Sequence, residues 1–218
     1  LDPVSVALFA MVVSAAGSAR PSLWFDEAAT ISASTRTVPQ LWRMLGNIDA
    51  VHGLYYLLMH GWFAAFPATE FWSRLSSAVA VGLAAAGVVV LGRQLSTRPV
   101  ALAAGLVFAL LPRVTWAGIE VRSYALTMVA AVWLTVFCVV AVRRNGPRWW
   151  LGYGVLAFIA TLLNVFLVLL VGVHAVVVAV SGRSWALWRR WAVAAAVAAG
   201  AATPFLIFTQ SQLFQVGW

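Results

Sequence analysis

The sequence contains no lysine, only one cysteine and few charged residues of any kind. All 14 basic residues are arginine, and charged residues make up 9% of the 218 positions. A soluble domain usually carries about 25% charged residues, whereas this chain is 63% hydrophobic with a mean hydropathy of +0.94. A core of this size cannot bury so many apolar residues, which indicates a protein embedded in a lipid bilayer.

The cysteine and the arginines exclude two further kinds of protein. Cys138 lies within an apolar run, cannot form an internal disulfide and has no His or Cys at a metal-binding spacing, so we expect a buried hydrophobic residue. The formal net charge is +8. However, the arginines separate long apolar runs instead of forming a basic stripe, which argues against a nucleic-acid partner.

The apolar stretches predict an all-α membrane protein with about seven transmembrane helices. A helix rises 1.5 Å per residue, so about 20 residues cross a hydrocarbon core of about 30 Å. No linker divides the chain, and we expect residues 1–218 to form a single module of a longer protein. The predicted spans are residues 3–19, 74–92, 99–112, 124–142, 149–163, 165–182 and 191–209.

A long polar segment, residues 20–73, separates the first two predicted spans and forms the first extracytoplasmic loop. Within it, residues 51–66 are apolar and aromatic and are followed by Pro67. This stretch is either a short span or a juxtamembrane helix at the interface. We predict the interfacial helix, because aromatic residues concentrate where membrane meets water and because the loop charges then alternate cleanly.

The charges separate onto two sides of the predicted bundle. The positive-inside rule puts the arginine-rich loops in the cytoplasm and the acidic loops outside, in a multi-pass plasma (inner) membrane protein. The arginine-rich loops contain Arg93, Arg98, Arg143, Arg144, Arg148, Arg183, Arg189 and Arg190. The acidic loops contain Asp26, Glu27, Asp49, Glu70 and Glu120, joined by Arg20, Arg36, Arg43, Arg74, Arg113 and Arg122.

The adjacent carboxylates Asp26 and Glu27 are the first candidates for a site. Two charges at the mouth of a membrane helix are costly to desolvate, and the flanking Trp24 and Phe25 favour a partly buried position. The alternative is a solvated loop or the first turn of a helix, where acids suit the dipole. His52 is open to three interpretations: a general base, a phosphate contact or a structural residue.

Four motifs in order resemble the GT-C superfamily of lipid-phosphate-sugar glycosyltransferases. The nearest branch holds the protein O-mannosyltransferases and the aminoarabinose transferase of lipid A. The motifs are Trp24-Phe25-Asp26-Glu27, His52-Gly53-Leu54-Tyr55-Tyr56, the segment from Glu70 to Leu75, and Glu120, Arg122 and Tyr124. The resemblance covers nearly the whole chain, but Gly53 stands where the family has two prolines.

The resemblance implies a role for each matched residue. Asp26 would be the general base and Glu27 would position the acceptor or share that role. Arg122, and more weakly Arg74, would bind the donor phosphate, because a guanidinium matches phosphate oxygens bidentately. The remaining matches would line the substrate pocket: His52, Tyr55, Tyr56, Glu120 and Tyr124.

The resemblance also implies the substrates. Family members transfer a sugar, here most plausibly mannose, from a polyprenyl-phosphate donor to a glycan, glycolipid or protein acceptor outside the cytoplasm. Some use a divalent metal, for which Asp26, Glu27 and Asp49 are candidate ligands, although the sequence contains no ligand set and we assign no cofactor. The alternatives are a transporter or flippase of a lipid-linked or small polar substrate, and a non-catalytic scaffold. Transporters place ionisable residues near the bilayer midplane, whereas these charges cluster at one side.

Overall fold

A computed structural model describes residues 1–181 and 185–212, and within these ranges every regular element is helical. Arg183, one of the predicted cytoplasmic arginines, lies outside the described residues. The helices are α1 (Asp2–Ala15), α2 (Phe25–Ser34), α3 (Val38–Leu45), α4 (Gly53–Ala65), α5 (Glu70–Leu95), α6 (Arg98–Leu110), α7 (Pro112–Gly118), α8 (Tyr124–Arg144), α9 (Pro147–Leu163), α10 (Val168–Val180) and α11 (Trp185–Ser211), with short 3-10 turns at Ala50–His52 and Val165–Leu167.

The all-helical, apolar architecture confirms the predicted class, but helix length does not support seven spans. Within the described ranges, only α5, α8 and α11 are long and apolar enough to cross a membrane individually. The count becomes four if α6 and α7, which meet at an angle of 62°, form one broken span. The apolar helices α1 and α10 have 14 and 13 residues, so each extends only about 20 Å against a core of about 30 Å.

Local sequence explains where several helices begin and end. Proline lies in the first turn of α6 and α9, where its missing N–H costs no helical hydrogen bond. Helix α8 ends with Arg143 and Arg144, which suit the negative end of its dipole. The next residue, Asn145, adopts a left-handed conformation with φ of 44° and so terminates the helix.

Helix α5 is the centre of the first half of the bundle and packs against α1, α6, α7 and α8. Small residues allow this close approach. A Cβ atom on Gly82 would lie 2.8 Å from the Ala7 carbonyl oxygen, and one on Gly92 would lie 2.8 Å from the Ala101 Cα. Such contacts between backbones are typical of helices that pack within membranes.

The second half of the bundle consists of α8 to α11 around a buried aromatic and polar cluster. Cys138 is fully buried there, as predicted. The His174 Nδ1 atom lies 3.1 Å from the Tyr153 hydroxyl, and its Nε2 atom lies 3.2 Å from the Thr135 Oγ1 atom. Because both ring nitrogens have a partner, His174 links three helices and carries no evident reactive role.

Contacts gather the arginine-bearing turns at one end of the bundle, which we call the arginine end. Asp2 accepts hydrogen bonds from the Arg98 Nε and Nη2 atoms at 2.6 and 2.9 Å and a further bond from Arg93. The Arg190 guanidinium donates to the carbonyl of Asn145. The opposite end, the acidic end, carries α2, α3, α4 and the turn before α8.

Candidate functional site at the acidic end

Helix α2 places the two adjacent carboxylates at the acidic end. The helix begins at Phe25, so Asp26 and Glu27 lie in its first turn, where negative charge is favourable. The Glu27 carboxylate also accepts a hydrogen bond from the Trp24 backbone N–H at 3.3 Å. The side chains of Trp24 and Phe25 are exposed, so they do not bury the acids as the sequence predicted.

Glu27 forms a buried bidentate ion pair with Arg74 of α5. The Arg74 Nε atom lies 2.9 Å from Oε1 of Glu27, and its Nη2 atom lies 2.6 Å from Oε2. Arg74 also donates to the backbone carbonyls of Ser18 and Pro21 at 2.7 Å and of Ser22 at 3.1 Å. Arg74 therefore holds α2 and the chain that leads into it against α5.

This arrangement leaves Glu27 and Arg74 unavailable for the predicted roles, which were contact with the acceptor for Glu27 and binding of the donor phosphate for Arg74. A guanidinium has five N–H groups, and these contacts use all five, so Arg74 has no donor left for a phosphate. Glu27 has no exposed surface, and its Oε1 atom also accepts from the Val121 N–H at 3.0 Å. Both residues support the site without facing a substrate.

Asp26 lies one residue away but points to a different arginine. Its Oδ2 atom is 3.6 Å from Nη2 of Arg122, and the two side chains are 30% and 17% exposed. Arg122 belongs to the turn that leads into α8, and its guanidinium carbon is 5.9 Å from the Tyr124 ring centroid. The structure thus brings together the proposed base and the proposed phosphate ligand at an accessible surface.

Arg113 of α7 is a neighbour that the sequence motifs did not indicate as part of a site. Its guanidinium lies 4.3 Å from the Trp116 ring centroid and 5.9 Å from that of Tyr124. Trp116 and Tyr124 are themselves stacked, with centroids 5.5 Å apart. Two guanidinium groups, Arg113 and Arg122, therefore lie beside one aromatic stack. The bend between α6 and α7 produces this arrangement, and only Pro112 signals the bend in the sequence.

Glu120 is buried beside this group, and its Oε2 atom has no hydrogen-bond partner among the described residues. Burial raises the pKa of Glu120 to about 7, helped by the nearby charges of Glu27 and Asp26 and opposed by Arg122 and Arg113. Its backbone carbonyl accepts a hydrogen bond from the Ser77 hydroxyl at 2.5 Å. Glu120 is therefore a carboxyl group that changes protonation near neutral pH.

A second polar cluster comprises Asp49, His52 and Tyr56. Asp49 adopts a left-handed conformation with φ of 64°, which directs its carboxylate to His52 Nδ1 at 2.7 Å and to the Tyr56 hydroxyl. Burial alone would raise the pKa of Asp49, but the bonds to His52 and Tyr56 and the charges of His52 and Arg122 hold it below its usual value. A non-glycine residue in this conformation is common at sites that require a fixed side chain.

The two predicted tyrosines of α4 are both 2% exposed and belong to the core. Tyr56 reaches the polar cluster only through its hydroxyl, and the Tyr55 hydroxyl is buried without a partner among the described residues. Because both rings are buried, their exposure does not support the prediction that they line a sugar pocket. Tyr124 is half-buried and remains at the accessible surface.

The three carboxylates considered for a divalent metal have separate partners. Glu27 is paired with Arg74, Asp26 with Arg122 and Asp49 with His52. Across residues 1–181 and 185–212, no group of three His, Cys, Asp or Glu side chains is positioned to hold a metal ion. We therefore assign no metal ligands.

An apolar groove of about 320 Å³ lies next to the Asp49 cluster. Gln212, at the end of α11, closes this region by accepting from the Ala50 N–H at 2.9 Å and donating to the Leu45 carbonyl at 2.9 Å. No sequence motif pointed to Gln212, because its partners are more than 160 residues away. The groove is lined by Trp42, Leu45, Gly46, Ala50, Gly53, Leu54, Leu57, Leu162, Phe205 and Phe208.

Comparisons of the chain with protein-family profiles, curated protein sequences and solved structures find no significant match. The resemblance to GT-C glycosyltransferases therefore rests on the four sequence motifs alone.

Proposed function

We propose that this protein is a membrane glycosyltransferase of the GT-C type, which transfers a sugar from a polyprenyl-phosphate donor to an acceptor hydroxyl outside the cytoplasm. The observation that carries the proposal is the pairing of Asp26 with Arg122, 3.6 Å apart and partly exposed. A carboxylate beside a guanidinium at the end of an apolar helix bundle supports a proton acceptor next to a phosphate-binding cation. The GT-C motifs and the seven-span topology belong to the same proposal.

The proposed reaction is a single displacement at the anomeric carbon. Asp26 accepts the proton of the acceptor hydroxyl, and the resulting oxygen attacks the anomeric carbon. The bond from that carbon to the phosphate oxygen breaks, and the polyprenyl phosphate leaves with the electron pair. Arg122 stabilises the negative charge that develops on the leaving phosphate. Because a phosphate is a good leaving group, no second carboxylic acid is required.

The surroundings of the pair fit the two parts of such a donor. Arg113 lies beside the same Trp116–Tyr124 stack as Arg122 and adds a second positive charge for the phosphate. The apolar groove beside Ala50 and Gly53 offers a surface for an isoprenoid chain at the same end of the bundle. In this proposal the donor sugar is mannose, and the acceptor is a glycan, a glycolipid or a protein.

Replacement of Asp26 by asparagine tests the proposal directly. Loss of a general base usually lowers the rate by about 10²–10⁴-fold, so Asp26→Asn should reduce transfer of radiolabelled sugar from a polyprenyl-phosphate donor by that factor. Glu70→Gln is the matched control, because it removes one negative charge from the first turn of α5 at the same end. Transfer by D26N at the wild-type rate would exclude Asp26 as the base.

A transporter or flippase is the second candidate function. The 62° bend between α6 and α7, and the break at Asn164 between α9 and α10, are interruptions of the kind that transporters use around a substrate. In a reconstituted vesicle, movement of a lipid-linked sugar without formation of a glycosylated acceptor would favour this function over the transferase.

A further inference from the structure

A second, larger groove lies between α9 and α11 and has a volume of about 470 Å³. It begins at the arginine end, at the opposite end of α11 from Gln212 and the candidate site. Two arginines, Arg189 and Arg190, line its mouth, whereas the rest of its wall is apolar. The main apolar residues are Trp150, Leu151, Val155, Phe158, Val193 and Val197.

The groove runs along the two helices from the arginine end into the apolar part of the bundle. Pro147 and Arg190 lie at its mouth, and Phe158 and Ala201 lie at its far end. The eleven helical steps from Arg190 to Ala201 on α11 correspond to about 16 Å. The floor is narrow, because a Cβ atom on Gly154 would lie 3.3 Å from the Ala194 carbonyl oxygen. The shape is a slot that is longer than it is wide.

The outer surface around the slot is apolar and exposed. Leu151 and Val197 are 70% and 66% exposed, and only 11% of the most apolar part of α11 is buried within the protein. An exposed apolar surface of this extent is typical of a helix face that contacts lipid. At the mouth, the bond from Arg190 to the Asn145 carbonyl fixes one guanidinium beside the slot, and Arg189 is exposed next to it.

We propose that this slot binds one anionic phospholipid, with an acyl chain between α9 and α11 and the headgroup phosphate at Arg189 and Arg190. An acyl chain matches an apolar slot that opens to the membrane. Guanidinium groups match phosphate oxygens, and basic pockets between membrane helices bind anionic headgroups. The site does not depend on the glycosyltransferase proposal, because it shares no residue with the acidic end.

Native mass spectrometry of the full chain, released from nanodiscs of phosphatidylglycerol and phosphatidylcholine with identical chains, tests the site. The wild-type protein should retain one phosphatidylglycerol in preference to phosphatidylcholine. A basic residue near a membrane surface contributes about 1 kcal/mol to binding an anionic lipid, so Arg189→Gln should lower that preference roughly fivefold. Arg148→Gln is the matched control, because Arg148 is exposed at the same end but lies over Trp149, outside the slot.

A second variant separates the chain contact from the charge. Ala201 is exposed and lines the far end of the slot, so Ala201→Phe should fill that end and reduce retention of both lipids while leaving the arginines intact. Three results would overturn the proposal: equal retention of the two lipids by the wild type, an equal loss in R148Q and R189Q, or displacement of phosphatidylglycerol by equimolar polyprenyl phosphate.

Discussion

Two adjacent carboxylates of α2 pair with two arginines in contrasting ways. Glu27 and Arg74 are buried, bonded at 2.6 and 2.9 Å, and all their hydrogen-bonding groups face protein partners. Asp26 and Arg122 are partly exposed and lie 3.6 Å apart. A desolvated, fully bonded pair holds a structure together, whereas a looser, accessible pair can exchange its partner for a substrate.

Residue type and sequence position therefore do not by themselves assign a function to these four residues. Both acids belong to the same motif, and both arginines lie in motifs that suggest phosphate binding. The two acids are adjacent in the first turn of α2. The Glu27 side chain points inward, to α5 and the Val121 N–H, whereas Asp26 lies at the surface. The reacting groups are therefore expected in the second pair, and the first pair stabilises the fold around them.

Breaking the buried pair should produce the largest change in stability. Glu27→Gln leaves the Arg74 charge buried without a counter-charge, which typically costs about 3–5 kcal/mol. The expected result is a strongly lowered melting temperature and a low yield of monodisperse protein in detergent. Glu70→Gln, which removes an acid from the same end, should melt close to the wild type. Equal melting temperatures for E27Q and the wild type would contradict the structural role of this pair.

Glu120 provides a pH-dependent test of the region between the two pairs. Its folded pKa, raised to about 7 by burial, means that the folded state binds more protons than the unfolded state between about pH 4.5 and 7. Stability should therefore fall as the pH rises through this window and stay lower above it. Glu120→Gln should remove this fall, a gain of about 1–3 kcal/mol above pH 7 relative to the wild type.

Thermal melts of the wild type and E120Q between pH 5 and 8.5 measure this difference. The charged groups that face Glu120 are Arg122 and Arg113, which are positive, and Asp26 and Glu27, which are negative. E120Q keeps all four, so a difference between the two proteins reports on Glu120 itself. Parallel melting curves across the whole range would show that Glu120 does not titrate in the folded protein near neutral pH.

Arg122→Lys should have the smallest effect and should act on the donor. A lysine keeps the charge but loses the planar fork, so the donor KM should rise by about tenfold while melting changes little. Arg20→Lys is a suitable control, because Arg20 is exposed at the same end of the bundle, next to the Pro21 and Ser22 carbonyls that bond Arg74. Kinetics with varied polyprenyl-phosphate sugar measure the effect, and an unchanged KM would remove Arg122 from the phosphate site.

The sequence predicted where most helices lie better than it predicted the residues at which they begin and end. Apolar runs locate the α-helices of the described residues except α2, α3 and α7, because burial in lipid or protein requires such runs. Helix α11 begins at Trp185, earlier than the predicted residue 191, and α1 ends at Ala15, earlier than the predicted residue 19, so the apolar runs do not fix the helix ends. Pro112 could have indicated the bend between α6 and α7, since the residue before a proline disfavours helix.

The sequence predicted Asp26, Arg122 and Tyr124 as members of the candidate site, but it predicted neither Arg113 nor the division of roles. The order of the motifs brought Asp26 and Arg122 together in the prediction, and the structure places them 3.6 Å apart. The pairing of Glu27 with Arg74 joins residues 47 positions apart, and that of Gln212 with Ala50 joins residues 162 positions apart. Such contacts depend on the packed bundle, so local spacing carries no signal for them.

The most direct test is sugar transfer per folded molecule, measured in parallel for Asp26→Asn and Glu27→Gln. The account predicts that D26N folds normally and loses turnover, and that the small folded fraction of E27Q turns over near the wild-type rate. A stable E27Q protein without turnover, together with an active D26N protein, would contradict it.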